Sequence, residues 1–399
     1  MKTRRVVAVI AGIITCVSTA HAQTGGRPSA EKLAEAREMR DKAVAYLLDQ
    51  QDAGTGGWSV RPDGPNLPAI TGLVLMGMTA DDALPTRDEA TRRAIGRGYE
   101  FIYGYQQGDG GIYDQILPQY NTAISLAALS RLDTQRSRDA ARDALAFLRT
   151  LQYSEDNPNP ELRVARSHPF YGGIGYGGSG RPDNSNMHMF MMALEEAGVP
   201  SDDPAVQRAL VFLQRTQMDD RVNEMEYAEG SRQGGFIYAT SPSGEQIGVG
   251  ESKAGTIEET LSDGTTASRL RAYGSITYAG FKSYVYADLP RDDVRVTAAR
   301  KWIGENYTLE ENPGIGTDGY YYFILTFSRA LDAFGEPTLK IVADDGSTRD
   351  TNWADDLIDQ LATMQNGDGS FRSVDDRWME NNPVLITAYT LIALGEVLD

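Results

Sequence analysis

The sequence reads MQNGDGSF at 364–371, QQGDGGIY at 106–113 and QDAGTGGW at 51–58. In each phrase a glutamine precedes a glycine turn, and an aromatic residue follows it. Before each phrase, apolar residues recur at intervals of three and four, which is typical of a helix with one buried face. The phrase therefore marks the end of an amphipathic helix and the turn after it.

The glutamine position recurs six times along the chain. Its occupants are Gln51, Gln106, Gln152, Gln217, Tyr307 and Gln365. A nearly apolar segment follows each one, such as NTAISLAAL from 121 and ITAYTLIAL from 386. When the six apolar segments are aligned, a second column contains Thr71, Thr122, Met187, Thr277, Ile324 and Thr387. Six pairs of an amphipathic and an apolar helix pack economically as an outer ring around an inner ring. We therefore expect an all-α fold, a single (α/α)6 toroid of six helix pairs over residues 31–399.

The repeated phrase has a structural interpretation. A glutamine at a helix end can donate and accept hydrogen bonds, so it can satisfy unpaired carbonyls there. Glycine supplies the positive φ of the turn, and the aromatic side chain fills the joint between neighbouring helix pairs. We interpret the glutamines as stabilising rather than catalytic.

Residues 1–22 are predicted to form a signal peptide. Lys2, Arg4 and Arg5 precede an apolar run, and Ala20 to Ala22 provide a cleavage site. The run is shorter than the roughly 20 apolar residues of a membrane span. We therefore expect a flexible start at 23–30, no stable membrane span after cleavage, and a periplasmic or extracellular location. Sec and twin-arginine export both remain open.

Removing the signal peptide limits the available chemistry. It removes the only cysteine and one of three histidines, leaving His168 and His188. We therefore expect no metal and no cofactor. Without three basic residues the chain has 35 Lys and Arg against 56 Asp and Glu, a net charge of −21. This charge disfavours nucleic acid as a partner, and we expect a monomer.

The phrases YLLDQQDAGTGGW at 46–58 and FIYGYQQGDGGIY at 101–113 resemble the QW repeats of the squalene cyclase and prenyltransferase superfamily. The resemblance covers roughly residues 31–398. Three further stretches, RAYGSITYAGFKS from 271, ENPGIGTDGYYYF from 311 and DRWMENNPVLITAY from 376, are similar to exported bacterial proteins with squalene-oxidase repeats. The chain contains no Asp-x-Asp-Asp motif of classical cyclases, no cysteine for a prenyltransferase zinc site after signal cleavage, and no Cys-Gly-Glu-Gln thioester motif.

In such a ring, the turns after the glutamines and the starts of the inner helices lie on one face. We therefore expect their side chains to meet at the mouth of a central cavity. The predicted acids are Glu380 and Asp318, and the predicted substrate-binding residues are Trp58, Tyr120, Asn121, Asp183, Asn186, His188, Tyr273, Tyr278, Tyr320, Tyr321, Asp376 and Trp378. Aromatic faces attract a carbocation, and a buried carboxyl with a raised pKa can protonate an alkene or epoxide. This chemistry favours cyclisation of an isoprenoid lipid, the reaction that the resemblance also implies.

Two other functions fit the same residues. Aromatic side chains stack on sugars and paired carboxylates cleave glycosidic bonds, so the protein could process a glycan. It could also bind a ligand without a reaction. Glu380 and Asp376 could cap the last inner helix, and His188 could be an ordinary core histidine. The segment 243–268 is polar and rich in Gly, Ser and Thr, which predicts a loop that covers the cavity or is mobile.

Overall fold

The computed structural model describes residues 28–80, 87–177, 180–343 and 345–398, so the predicted signal peptide lies outside the described residues. Six helices form the outer ring: α1 (Ala30–Asp49), α3 (Glu89–Tyr103), α5 (Gln135–Thr150), α7 (Pro204–Thr216), α9 (Val294–Glu305) and α11 (Trp353–Ala362). Six form the inner ring: α2 (Pro68–Thr79), α4 (Pro118–Ser130), α6 (Asn184–Glu196), α8 (Gly274–Tyr286), α10 (Tyr320–Phe334) and α12 (Pro383–Leu398). Every helix of the described residues is too short or too polar to cross a membrane.

The inner helices contact one another in order, and α12 packs against α2, which closes the ring. Each outer helix packs on an inner neighbour. The inner helices are buried on all sides, and nearly every residue of α2 is inaccessible. The outer helices bury one face, as α5 does through Ala140, Ala144, Phe147 and Leu148. The predicted α/α toroid is confirmed.

Four glutamines of the column connect an outer helix to the next. Gln152 lies just after α5 and donates through Nε2 to the Gly172 carbonyl in its own turn and to the Ala205 carbonyl of α7, both at 2.9 Å. Gln51, Gln217 and Gln365 reach the next outer helix in the same way, at Ala94, Arg295 and Met39. Because Met39 belongs to α1, the last of these bonds closes the outer ring.

Two members of the column differ. The Tyr307 hydroxyl donates to Asp356 Oδ2 of α11 at 2.8 Å, so a phenol makes the same connection by a longer reach. The backbone of Gln106 pairs with that of Ile112, as in the other turns, but the Gln106 side chain is exposed. Gln106 therefore does not take the buried position on which its predicted stabilising role depends.

The threonine column fixes the turns to the inner helices. Thr71 Oγ1 accepts a hydrogen bond from the Trp58 amide at 3.0 Å. Thr122 and Thr277 accept in the same way from the amides of Ile112 and Phe236. In these three repeats the residue after the glycine turn is thus bonded to the inner helix of its own pair, whereas the Thr387 hydroxyl is buried and has no such bond among the described residues.

Two antiparallel hairpins interrupt the helical pattern. Strand β1 (Thr256–Thr260) pairs with β2 (Thr266–Leu270), and β3 (Thr338–Val342) pairs with β4 (Thr348–Asn352). The loop predicted at 243–268 therefore contains most of a hairpin, turned at Gly264 with φ of 85°. None of residues 256–270 lines the central cavity. Asn352 caps α11, where its side chain accepts the amides of Ala354 and Asp355.

Candidate functional site

A cavity of about 350 Å³ lies at the amino-terminal ends of the inner helices. All six inner helices or their preceding turns contribute to its wall. Seven lining residues are aromatic: Tyr120, Tyr176, Tyr238, Tyr273, Tyr322, Tyr389 and Trp378. Eight are aliphatic: Leu67, Ala69, Ile70, Leu73, Leu117, Ile276, Met379 and Leu385. The remaining four are Asn121, Ser185, Ser275 and Glu380. Among the residues that the structure describes, Glu380 is therefore the sole carboxylate of this lining.

Five of the residues predicted for the site line this cavity: Tyr120, Asn121, Tyr273, Trp378 and Glu380. Nine do not: Trp58, Asp183, Asn186, His188, Tyr278, Asp318, Tyr320, Tyr321 and Asp376. The predicted set lacks six aromatic or polar residues of the lining: Tyr176, Tyr238, Ser185, Ser275, Tyr322 and Tyr389. The first two belong to long connections between helix pairs, where no periodic pattern points to the cavity.

Several predicted aromatic residues are part of the framework. Trp58 donates from Nε1 to the Leu47 carbonyl at 2.6 Å, so its indole fills the joint between α1 and the turn. The Tyr320 hydroxyl donates to the Leu309 carbonyl at 2.6 Å. Tyr278 packs its ring on Phe323, with ring centroids 5.7 Å apart.

Tyr321 is likewise turned away from the cavity, and its hydroxyl donates to the Arg372 carbonyl at 2.6 Å. Asp183 is 1% exposed and caps α6, where its Oδ1 accepts the amides of Ser185 and Asn186. The Asn186 side chain donates back to the same carboxylate. Asp183 and Asn186 therefore fix the start of α6 beside the cavity wall.

The mouth carries Trp378, whose side chain is 46% exposed. Arg377 stacks on its ring at 4.4 Å and forms an ion pair with Asp318. Asp318 therefore pairs with Arg377 at the mouth of the cavity. Asp376 is exposed to solvent. A Cβ at Gly319 would approach the Trp378 ring to 2.8 Å, so glycine is required beneath the indole.

The backbone of the mouth is strained. Leu117, Trp378 and Met379 line the cavity and adopt positive φ angles of 50°, 53° and 68°. A non-glycine residue in this region costs on the order of 1–3 kcal/mol, and such residues cluster at functional sites. The unusual backbone conformation of Leu117, Trp378 and Met379 therefore occurs where their side chains line the cavity.

Glu380 connects the cavity to α10. Its side chain is 1% exposed, with Oε2 accepting the Tyr321 amide at 3.0 Å and Oε1 the Tyr322 amide at 2.9 Å. Burial raises the pKa of Glu380 to about 7, against the opposing effect of the two amide hydrogen bonds. The carboxyl can therefore keep its proton near neutral pH.

Tyr322 connects the cavity to a polar layer beneath it. Its hydroxyl lies 2.9 Å from Nδ1 of His188, which is 3% exposed. Burial, with Arg329 and Lys282 nearby, lowers the pKa of His188 to about 3. The imidazole is therefore neutral at physiological pH.

Arg329 lies among carboxylates at the carboxyl ends of the inner helices. It pairs with Glu196 at 2.9 Å and with Glu396 at 3.1 Å, and Lys282 pairs with Glu195. Arg131 adds a second cation on Glu196 at 2.6 Å. The paired charges fill this end of the ring, opposite the end where the cavity lies.

No protein-family model and no curated protein matches this sequence. Among solved structures, this chain is similar to a variant of the type II terpene cyclase MstE from Scytonema in complex with geranylgeranyl dihydroxybenzoate. The two chains are 12% identical with a TM-score of 0.52, and the match covers 92% of this chain and 99% of the other. An inactive variant of an α-1,6-mannanase from Salegentibacter, in complex with α-1,6-mannotriose, is similar at 10% identity and a TM-score of 0.55, over 91% and 100%. These likenesses show a shared toroid fold.

Proposed function

We propose that this protein binds an isoprenoid lipid in the aromatic cavity and cyclises it by acid-initiated carbocation chemistry, with Glu380 as the acid. The observation that carries the proposal is the position of Glu380, a buried carboxyl that opens onto an almost entirely aromatic and aliphatic lining. The likeness to a terpene cyclase is consistent with this function, and the sequence resemblance to the squalene cyclase superfamily supports it independently.

The surroundings of Glu380 stabilise both the protonated carboxyl before proton transfer and the carboxylate after it. Burial keeps the proton on the carboxyl before the reaction. Transfer to an alkene forms a C–H bond from the π electrons and leaves a carboxylate and a carbocation. The Tyr321 and Tyr322 amides, at the positive end of the α10 dipole, then stabilise that carboxylate without rearrangement.

The lining suits the carbocation. Tyr120, Tyr273, Tyr322 and Tyr389 surround the cavity, and aromatic faces attract cations within about 6 Å of the ring centroid. Loss of a proton from the cyclised cation restores neutrality, and a proton returning to Glu380 completes the cycle. The overall reaction is an isomerisation, so substrate and product have the same mass.

The test is turnover of polyprenyl alcohols and hydrocarbons by the purified protein, followed by gas chromatography and mass spectrometry. We expect an isomer of unchanged mass, abolished by Glu380→Gln and retained in Glu100→Gln, which changes an exposed carboxylate of α3. Circular dichroism must show that each variant is folded. If Asp318→Asn abolishes turnover and Glu380→Gln does not, the acid is Asp318 and this assignment is wrong.

Glycan processing is the second candidate function. Trp378 and Tyr176 expose aromatic surface at the mouth, at 46% and 41%, where a sugar ring could stack. Hydrolysis normally needs two carboxylates that flank the bond, and Glu380 is the sole carboxylate of the lining. Release of reducing sugar from a glycan panel, unaffected by Glu380→Gln, would favour this alternative.

We also infer that the chain is exported and begins at Gln23 after cleavage. The inference rests on the order of basic residues, apolar run and cleavage site in residues 1–22. Amino-terminal sequencing of protein from the envelope or medium tests it, and a chain that retains Met1 would contradict it.

A further inference from the structure

The cavity has two chemically different walls. The α2 and α12 side is aliphatic, with Leu67, Ile70, Leu73 and Leu385. Three hydroxyls face them from the α6 side and come together: the Ser185 Oγ lies 3.4 Å from the Tyr238 hydroxyl and 3.5 Å from the Tyr176 hydroxyl. We call Tyr176, Ser185 and Tyr238 the hydroxyl cluster.

The hydroxyl cluster has unused hydrogen-bonding capacity. Good hydrogen bonds between hydroxyls are about 2.7–2.8 Å long, so the separations of 3.4 and 3.5 Å from Ser185 are weak contacts. The Tyr176 and Tyr238 hydroxyls also interact with each other, and since each phenol carries one proton, that interaction uses one of the two protons and leaves the other for a ligand. Ser185 donates its own proton to Asp183 at 2.7 Å and therefore presents lone pairs to the cavity. A ligand hydroxyl can accept from a phenol and donate to Ser185.

The charge around the cluster selects against an anion. Within the described part of the chain, the lining contains neither Lys nor Arg. Behind Tyr238, the guanidinium of Arg181 is paired with Glu251 at 2.6 Å and lies 3.6 Å from Asp183, and Lys253 is also paired with Glu251. These cations are therefore compensated, and the Asp183 carboxylate lies directly behind Ser185.

The phenols of the cluster remain protonated donors. Burial, with the nearby Asp183 carboxylate, raises the pKa of Tyr238 far above its usual range and raises the pKa of Tyr176 in the same direction. Deprotonated phenols would repel an electron-rich head group, but these stay neutral.

We propose that the ligand of this cavity is an amphipathic prenyl compound with a neutral, hydroxyl-bearing head group, held by Tyr176, Ser185 and Tyr238 while its chain lies against the aliphatic wall. This inference rests on the proposed isoprenoid function and makes it specific. It disfavours prenyl diphosphates, since the nearby cations Arg181, Lys253 and Arg377 are already paired with carboxylates and leave a desolvated diphosphate uncompensated. A pure hydrocarbon would leave the cluster without a partner.

Three probes with the same prenyl chain test the proposal: geranylgeraniol, its diphosphate ester, and the parent hydrocarbon. Each is titrated into the protein, and binding is followed by quenching of tryptophan fluorescence, since Trp378 lies at the mouth. One good hydrogen bond is worth up to about a tenfold change in Kd. We expect geranylgeraniol to bind about tenfold more tightly than the hydrocarbon and the diphosphate to bind most weakly.

Tyr238→Phe should reduce the preference for the alcohol to about twofold, because it removes the hydroxyl and keeps the ring. Tyr171→Phe is the matched control, since that phenol bonds Glu155 outside the cavity. The proposal is overturned if the diphosphate binds most tightly. It is also overturned if alcohol and hydrocarbon bind equally and Tyr238→Phe has no effect. Either result leaves the proposed isoprenoid function standing. Failure of all three probes to bind would overturn both.

Discussion

Replacing Glu380 with Gln should change how the stability of the protein depends on pH. The pKa of Glu380 is raised from the usual 4.5 to about 7 in the folded protein by burial. Between these two values the folded chain keeps a proton that the unfolded chain releases. The free energy of unfolding therefore falls as pH rises from about 4.5 to 7, and it levels off on either side.

The size of this fall follows from the shift. Each pKa unit corresponds to about 1.4 kcal/mol, so the shift corresponds to a loss of about 3 kcal/mol across the interval. Gln cannot titrate and leaves one α10 amide without an acceptor, which costs about 1–3 kcal/mol. We expect Glu380→Gln to be less stable than wild type at pH 5 and about equal to it at pH 8.

Guanidinium unfolding of both proteins at pH 5, 6, 7 and 8 gives this difference directly, and groups common to both cancel. Asp368→Asn is the control, because hydrogen bonds from Ser370 lower the pKa of Asp368 and it stays ionised over this range. A difference between wild type and Glu380→Gln that is constant with pH would refute the raised pKa. The same constant difference is expected if the two amides outweigh burial, because Glu380 would then be ionised in both the folded and the unfolded protein from pH 5 to 8.

Three further outcomes are expected. Gln152→Ala should lower the free energy of unfolding by about 1–3 kcal/mol, since it removes the buried donor to the Gly172 carbonyl and the bond that connects the turn to α7. Gln106→Ala should change the free energy of unfolding by less than about 0.5 kcal/mol, because Gln106 is exposed. Equal effects of the two substitutions in denaturant titrations would contradict this. Burial lowers the pKa of His188 from 6.5 to about 3, so the unfolded chain binds a proton that the folded chain does not. The free energy of unfolding should therefore decrease as pH falls from 6.5 to about 3. His188→Gln should lessen this decrease, as measured by thermal melting. Dialysis against EDTA should leave circular dichroism and ligand binding unchanged, and a stoichiometric metal found by mass spectrometry would contradict this.

The toroid could be predicted because its repeats are written in local sequence. Each pair needs an amphipathic helix, a glycine turn and an apolar helix, and all three have a periodic signature. The pattern also predicted a stabilising role for Gln152, but not its bond to the next outer helix. It could not show that Gln106 is exposed, because the repeat places Gln106 and Gln152 at equivalent positions and only tertiary contacts distinguish them.

The same repeat explains why Trp58 was misassigned to the cavity. It occupies the position after the glycine turn that Ile112 and Phe236 hold in other repeats, and its amide donates to Thr71 just as theirs donate to the corresponding threonines. A residue that occupies the same position in several repeats, as Trp58 does, supports the packing of the helix pairs rather than the cavity. The cavity is instead built by residues that break the pattern, such as Tyr176 and Tyr238 from the long connections.

Glu380 shows most clearly what local sequence could not determine. Its position before α12 suggested a cap for that helix, but Asn382 accepts the Val384 amide at 3.0 Å and fills that role. Glu380 instead bonds the amides of Tyr321 and Tyr322, at the start of the preceding inner helix. Capping and proton donation are then not alternatives, because the two amides that Glu380 satisfies also stabilise the carboxylate once its proton has left. Loss of stability in Glu380→Gln is therefore compatible with a catalytic role, and the pH dependence of that loss, rather than its presence, tests whether the carboxyl holds its proton at neutral pH.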